Sequence, residues 1–349
     1  MSGGAEIYDL IVLGLVSAAL VFFGIAWGAS KASAIGLLDK PDDRKRHHYS
    51  VPAIGGLAIY LVLAAFTLTF PVAEVFRWLV GTAFILVLIG AWDDARQLSV
   101  GIKLVGQVFA TILMIWGSGI WVTHLGIEAM EFEFLTGWSG ILATVVGVVG
   151  LTNAYNMTDG LDGLAAGHVL LSVGTVCSTM VIAGANLTDV KWFSVLAATI
   201  IAFALVNLSL TPLRRVFLGD AGSLFLGFTV AWILIIYSQL HNQYLPSLAA
   251  LWCVSMPLAD MLCVVIRRVR TLRSPFQPDR SHLHHYLVTT GLSAKQSVAI
   301  ILITSTCVNA FGIWVTIATS ALTSLLAFLA FLVVYWSSIG IIESRACVK

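Results

Sequence analysis

The chain has 349 residues, 59% of them hydrophobic and 11% charged, with a formal net charge of +1 and a mean hydropathy of +0.95. Soluble domains carry about a quarter of their residues charged, so this composition excludes an ordinary soluble globule and points to a polytopic membrane protein. The near-neutral balance gives no basis for nucleic-acid binding. The five scattered cysteines, without a CxxC pair, read as small buried apolar side chains rather than disulfides or metal ligands.

In chain order, eleven apolar runs come close to the roughly 20 residues that cross a bilayer. They are 8–29, 51–70, 76–92, 103–122, 138–156, 163–184, 192–211, 221–240, 244–266, 297–319 and 321–342. Glu6 and Asp9 stand where a signal peptide would be basic, so the first run is expected to remain as a transmembrane helix. No soluble segment or strong repeat divides the chain, which is expected to be one all-α transmembrane catalytic domain over 1–349.

Lys and Arg set the orientation. The loops 30–50, 93–103, 212–220 and 267–296, with the C-terminal tail, hold 17 of the 19 basic residues. The remaining two, Arg77 and Lys191, fall on the other side. The positive-inside rule then puts the N-terminus outside and the C-terminus in the cytoplasm.

On this map Asp93, Asp94, Asp159, Asp162, Asp220, Asp279, His282, His284 and His285 all reach the cytoplasmic face. Carboxylates gathered at one membrane depth call for neutralising partners, and a divalent cation is the natural one. Glu128, Glu131 and Glu133, on the outer side, read as an ordinary solvated loop.

In "AWDDARQLSVGIKLVGQ" (91–107) the adjacent carboxylates do not share a helix face, so they aim at different partners. Lys103 and Gln107 lie one turn apart, and Lys103 doubles as a snorkelling anchor. In "NAYNMTDGLDG" (153–163), Asn156, Asp159 and Asp162 step by three along one helical face. The DxDxDG spacing and distal Glu of a calcium loop are absent, and Asn153 and Asp162 as helix caps are the structural alternative. "RRVFLGDAGSLFLGF" (214–228) opens a span with Gly219, Asp220, Gly222 and Ser223, where free amides and bare backbone suit an anion. Its alternative is Asp220 as an N-cap.

"SPFQPDRSHLHHYL" (274–287) reads as a loop. Its HxHH lacks the cysteines that would complete a zinc set, and imidazoles beside Arg280 suit a polyphosphate. In "DKPDDRKRHHYSVPAIGG" (39–56), Arg44, Lys45 and Arg46 read as site residues or as positive-inside residues against headgroups, and Gly55 and Gly56 as close helix packing. Asp260, inside a predicted span, is either functional or the partner of Arg267 and Arg268. His124, His168 and His241 stand alone and receive no role.

Five stretches in order carry a more specific signal. "RKRH" with "P..GG" (44–56), "DD....LS...K...Q" (93–107), "N..N..DGLDGLAAG" (153–167), "FLGDAGSLFLGF" (217–228) and "PF.PDR.HLHH" (275–285) resemble the polyprenyl-phosphate N-acetylhexosamine-1-phosphate transferases. The resemblance implies transfer of N-acetylglucosamine 1-phosphate from UDP-N-acetylglucosamine to undecaprenyl phosphate, with release of UMP. It implies Mg²⁺ as cofactor, with Mn²⁺ as the alternative, a bacterial inner-membrane location at the first membrane step of an envelope glycan such as O-antigen, and admits a homodimer. By the same likeness Asp220 is the principal metal ligand, with Asn156 and Asp159 around metal and diphosphate. Asp93 or Asp94 is the acid that deprotonates or orients the lipid phosphate. Lys45, His47 and Lys103 hold phosphate, and Arg280, His282, His284 and His285 read the sugar nucleotide. The same reaction with another UDP-N-acetylhexosamine is the near rival. A transporter is the remote one, since transporters place coupling groups at the midplane of repeated halves.

Overall fold

The computed structural model describes residues 2–39, 49–127, 137–184, 187–241, 243–275 and 281–347. The first half contains helices α1 (Ser2–Lys31), α2 (Gly55–Thr69), α3 (Glu74–Arg96), α4 (Val100–Ser118), α5 (Trp138–Thr158) and α6 (Leu164–Ile182). The second contains α7 (Leu187–Asn207), α8 (Gly219–Gln239), α9 (Ser247–Cys253), α10 (Ser255–Arg270), α11 (Leu283–Thr289), α12 (Ala294–Ala318) and α13 (Ala321–Cys347). Two short antiparallel strands, β1 (Leu38–Asp39) and β2 (Val51–Pro52), precede α2.

Among the described residues nine helices are long and apolar enough to cross a membrane, or ten with the bent pair α9–α10 as one span. Their outward faces carry Leu15, Phe23, Trp27, Trp116 and Val333, all exposed. Apolar side chains displayed on this scale suit a lipid surround and not water, so the fold is that of a multi-pass helical membrane protein.

Each of the eleven predicted runs falls on helix, and the departures have local causes. The 51–70 run turns helical only at Gly55, because Val51–Pro52 pairs with Leu38–Asp39 and Ala53 bridges to Phe217. The resulting α2 has 15 residues, about 22 Å of rise against a hydrocarbon core of about 30 Å. The 192–211 run ends at Asn207, ahead of Pro212. The 244–266 run is broken at Val254 and bent by 75°, next to Pro257, which cannot donate to the preceding turn. The reading of 274–287 as a loop is corrected at its end, where α11 begins at Leu283.

α8 is the axis of the bundle and almost wholly buried, whereas the apolar stretches of α1 and α13 are mostly exposed and form the rim. α3 and α8 nearly touch: a Cβ at Gly90 would lie 2.3 Å from Ala221 N, so only glycine fits there. A second core cluster, including Leu164, Met256, Cys263, Ile301, Tyr335 and Ile339, joins α6, α10, α12 and α13.

Candidate active site

The C-terminal ends of α3 and α5 meet the N-terminal ends of α4 and α8. Lys103 Nζ donates to Asp93 Oδ2 at 2.8 Å and to Asp220 Oδ2 at 3.1 Å, linking three separate helices. Asp93 also accepts the Leu98 amide at 2.6 Å, which closes the turn between α3 and α4. Asn156 Nδ2 donates to Asp220 Oδ1 at 3.0 Å and to Ser223 Oγ at 2.8 Å.

Asp93 and Asp94 do aim at different partners. Asp94 Oδ1 accepts the Asp220 amide at 2.9 Å and Oδ2 the Ala221 amide at 3.2 Å. The alternative reading of Asp220 as an N-cap is therefore excluded. Asp220 lies in the first turn of α8, Leu218 is at the cap position without a side-chain bond, and Asp94 from α3 serves those amides. A carboxylate is favoured there by the free N–H groups and by the helix dipole.

The "DGLDG" bend is braced. Asp162 pairs with Arg215 and accepts from Asn207 Nδ2 at 3.2 Å, while Asn207 Oδ1 accepts the Gly163 amide at 2.8 Å. Asp162 and Asn153 are not helix caps: α6 has Gly163 at its cap position with no side-chain bond, and Asn153 Nδ2 donates to Gln107 Oε1 at 2.6 Å. Asp159 follows the last turn of α5; the residue is exposed as a whole, but protein atoms crowd its carboxyl. The burial of its carboxyl, with the charges of Asp220, Asp94 and Asp162, pushes its pKa up to about 8.

The histidines form a second group. His282 Nδ1 lies 2.8 Å from Asp260 Oδ2, and Asp260 Oδ1 accepts the Leu283 amide at 3.0 Å and the Tyr335 hydroxyl at 2.8 Å. Asp260 is thus not the partner of Arg267 or Arg268. Arg267 bonds Tyr286 and pairs with Glu343, and Arg268 donates to the Pro275 carbonyl. The rings of His284 and His285 are 4.2 Å apart at their centroids. A Cβ at Gly160 would lie 2.1 Å from His284 Nε2, so the "DGLDG" bend and the histidine segment are in direct contact. This joins the two groups into one site.

Arg44, Lys45, Arg46, His47, Glu128, Glu131, Glu133, Asp279 and Arg280 lie outside the described residues. Three contributors were not singled out by the sequence. Asn207 ends an apolar run, a signal available in principle. Tyr335 is 75 residues from Asp260 and has no local signature. Arg215 was visible only as a positive-inside residue.

A model of glycosyl transferase family 4 matches residues 75–238. The undecaprenyl-phosphate alpha-N-acetylglucosaminyl 1-phosphate transferase of Yersinia pestis is 35% identical over 307 residues, covering 87% of this chain and 83% of its own. The enzymes of the same name from Escherichia coli K12 and Haemophilus influenzae are 33% and 35% identical, covering 87% and 81% of this chain and 82% and 80% of theirs. The chain belongs to this transferase family, glycosyl transferase family 4. In the family 4 match fall Asp93, Asp94, Lys103, Asn156, Asp159 and Asp220, while the histidine segment lies beyond it.

The donor set of this family 4 site fits a hard cation. Asp220, Asp159 and the amide oxygen of Asn156 all offer oxygen donors, and among the described residues the carboxylates outnumber the one ammonium of the cluster, Lys103, bonded to Asp93 and Asp220. Among the described residues no three His, Cys, Asp or Glu side chains form a finished metal set. Mg²⁺ does not require one, since it commonly takes one or two carboxylates, waters and substrate phosphates.

Proposed function

We propose that this chain transfers N-acetylglucosamine 1-phosphate from UDP-N-acetylglucosamine to undecaprenyl phosphate. The observation that carries the reading is Lys103 held between Asp93 and Asp220, with Asn156 on the far oxygen of Asp220, at one end of the bundle. The names of the relatives give undecaprenyl phosphate and the N-acetylglucosaminyl 1-phosphate group, and the UDP-linked donor is our inference from them. The site is assigned to the cytoplasmic face of a bacterial inner membrane, with the N-terminus outside, by the basic residues of the loops.

A phosphate oxygen of the lipid attacks the β-phosphorus of the sugar nucleotide. A new P–O–P linkage forms, the bond to the bridging oxygen breaks, and UMP leaves with that oxygen. A phosphate monoester has its second pKa near 6, so the attacking group is already largely a dianion and the demand is for positioning and charge neutralisation. Lys103 supplies a cation for the incoming phosphate, and Asp93 orients it. Asp94 fixes the first turn of α8 and hence the place of Asp220. Mg²⁺ held by Asp220, Asp159 and Asn156 would neutralise the diphosphate and polarise its oxygens. The histidines, with Arg280, are assigned to the sugar nucleotide.

The test is a transfer assay on purified protein with undecaprenyl phosphate, Mg²⁺ and UDP-N-acetylglucosamine labelled in the sugar. Mg²⁺-dependent label in the organic phase, with UMP and not UDP released, supports the reading. Absence of transfer with this and other UDP-N-acetylhexosamines, from folded protein, overturns it.

A further inference from the structure

A cavity of about 850 Å³ lies at the end of the bundle opposite the carboxylates, within the roughly 300–1,000 Å³ of small-molecule sites. It is a half-open cleft lined by the N-terminal parts of α1, α3 and α7 and the last turns of α2 and α8. By the positive-inside reading of the sequence, 17 of the 19 basic residues are assigned to the other end. The two exceptions, Arg77 and Lys191, both line this cavity.

Its charge and its walls point to an amphiphile. Asp9, 3.6 Å from Lys191, is the one acid among the described residues of the lining, beside the two cations Arg77 and Lys191. Arg77 and His241 are exposed at the rim, whereas Phe76 and Trp192 are buried and stacked at 4.5 Å. His241 lies between the rings of Tyr237 and Tyr244, at 5.5 and 5.9 Å. Tyrosine and tryptophan are the residues of the membrane–water boundary, and arginine presents a planar fork to phosphate oxygens.

We propose that this cavity binds an anionic phospholipid, its phosphate toward Arg77 and Lys191 and its chains along the aromatic wall. By the proposed orientation the lipid comes from the outer leaflet; the binding itself does not depend on the transferase reading. A basic side chain near an anionic lipid surface contributes roughly a fivefold preference, so removing both should cost at least about fivefold in selectivity.

The experiment is native mass spectrometry of the detergent-purified protein after incubation with equal amounts of phosphatidylglycerol and phosphatidylcholine. Wild type should retain phosphatidylglycerol at least about fivefold over phosphatidylcholine. Arg77→Gln/Lys191→Gln should bring the ratio close to one, with transfer activity unchanged in phosphatidylcholine discs. Arg77→Gln alone, at an exposed position, should give an intermediate ratio and serves if the double variant does not fold. Equal retention of the two lipids by wild type, or a ratio unmoved in the variants, overturns the proposal. So does displacement of the lipid by millimolar glycerol 3-phosphate, which would assign the cavity to a soluble phosphoester.

Discussion

Asp94, at the end of α3, accepts the backbone amide of Asp220, the residue that opens the first turn of α8, at 2.9 Å. Its other oxygen takes the Ala221 amide at 3.2 Å, while its neighbour Asp93 faces Lys103 at 2.8 Å. Two adjacent carboxylates thus do different work, one on a helix end and one on the Lys103 ammonium. Loss of a helix N-cap costs about 0.5–2 kcal/mol. Asp94→Ala should therefore lower the melting temperature and turnover together. Asp93→Ala should leave stability closer to wild type and raise the KM for undecaprenyl phosphate through a misplaced Lys103. Thermal melts in detergent beside two-substrate kinetics check this, and a larger loss of stability in Asp93→Ala would reverse the assignment.

Asp220 is surrounded by Asp93, Asp94 and Asp159 as well as by Lys103. Its charge adds to a repulsive cluster that shares the single Lys103 ammonium among the described residues, which suits the cation proposed for this site. Asp220→Asn should reduce turnover by about 10³-fold or more, equivalent to several kcal/mol of lost charge stabilisation. The melting temperature should stay level or rise, because one like charge is removed. Near-normal turnover in this variant would exclude Asp220 as the principal ligand.

The cluster at the ends of α3, α4, α5 and α8 was legible because each member is a polar residue at the edge of an apolar run, where it is costly without a task. The helices were legible for the same reason in reverse: long apolar runs have few alternatives in lipid. Tertiary pairings were not. Asp260 has two arginines seven and eight residues away in sequence, yet it bonds His282, Leu283 and Tyr335, because α10 is buried on the side that faces α13 and the histidine segment. The cap on α8 comes from another helix, and no spacing rule reaches across 126 residues. The break at Val254 was signalled by Pro257 but hidden inside an apolar run long enough to pass for one span.

Asp260 fixes the histidine segment from beneath. Its Oδ2 holds His282 Nδ1, which directs the other ring nitrogen away from Asp260 and fixes the tautomer. Its Oδ1 holds the Leu283 amide at the start of α11. Tyr335→Phe removes one donor from that oxygen and keeps the rest. We expect Tyr335→Phe to raise the KM for UDP-N-acetylglucosamine a few-fold, and Asp260→Asn about tenfold or more, with the KM for undecaprenyl phosphate little changed. His282→Ala should show the same selectivity. A merely structural role would lower both apparent affinities and the melting temperature in step, so kinetics with each substrate varied in turn decides the matter.

The raised pKa of Asp159 gives a signed prediction for Mg²⁺. Without a cation its carboxyl titrates near 8, raised by burial and by Asp220, Asp94 and Asp162. Below that pH it carries a proton that a metal must displace, and above it none. Apparent Mg²⁺ affinity should therefore climb as pH rises from 6 to 8, by up to about tenfold per unit for one displaced proton, and then level off. The rise belongs to the ligand and not to the lipid phosphate, whose second pKa lies near 6. In Asp159→Asn the slope should flatten, with weaker Mg²⁺ activation at pH 8. Titrating Mg²⁺ activation at fixed substrate over this range checks the sign. An affinity that is flat with pH in wild type, or a slope that survives in Asp159→Asn, would remove Asp159 from the cation site.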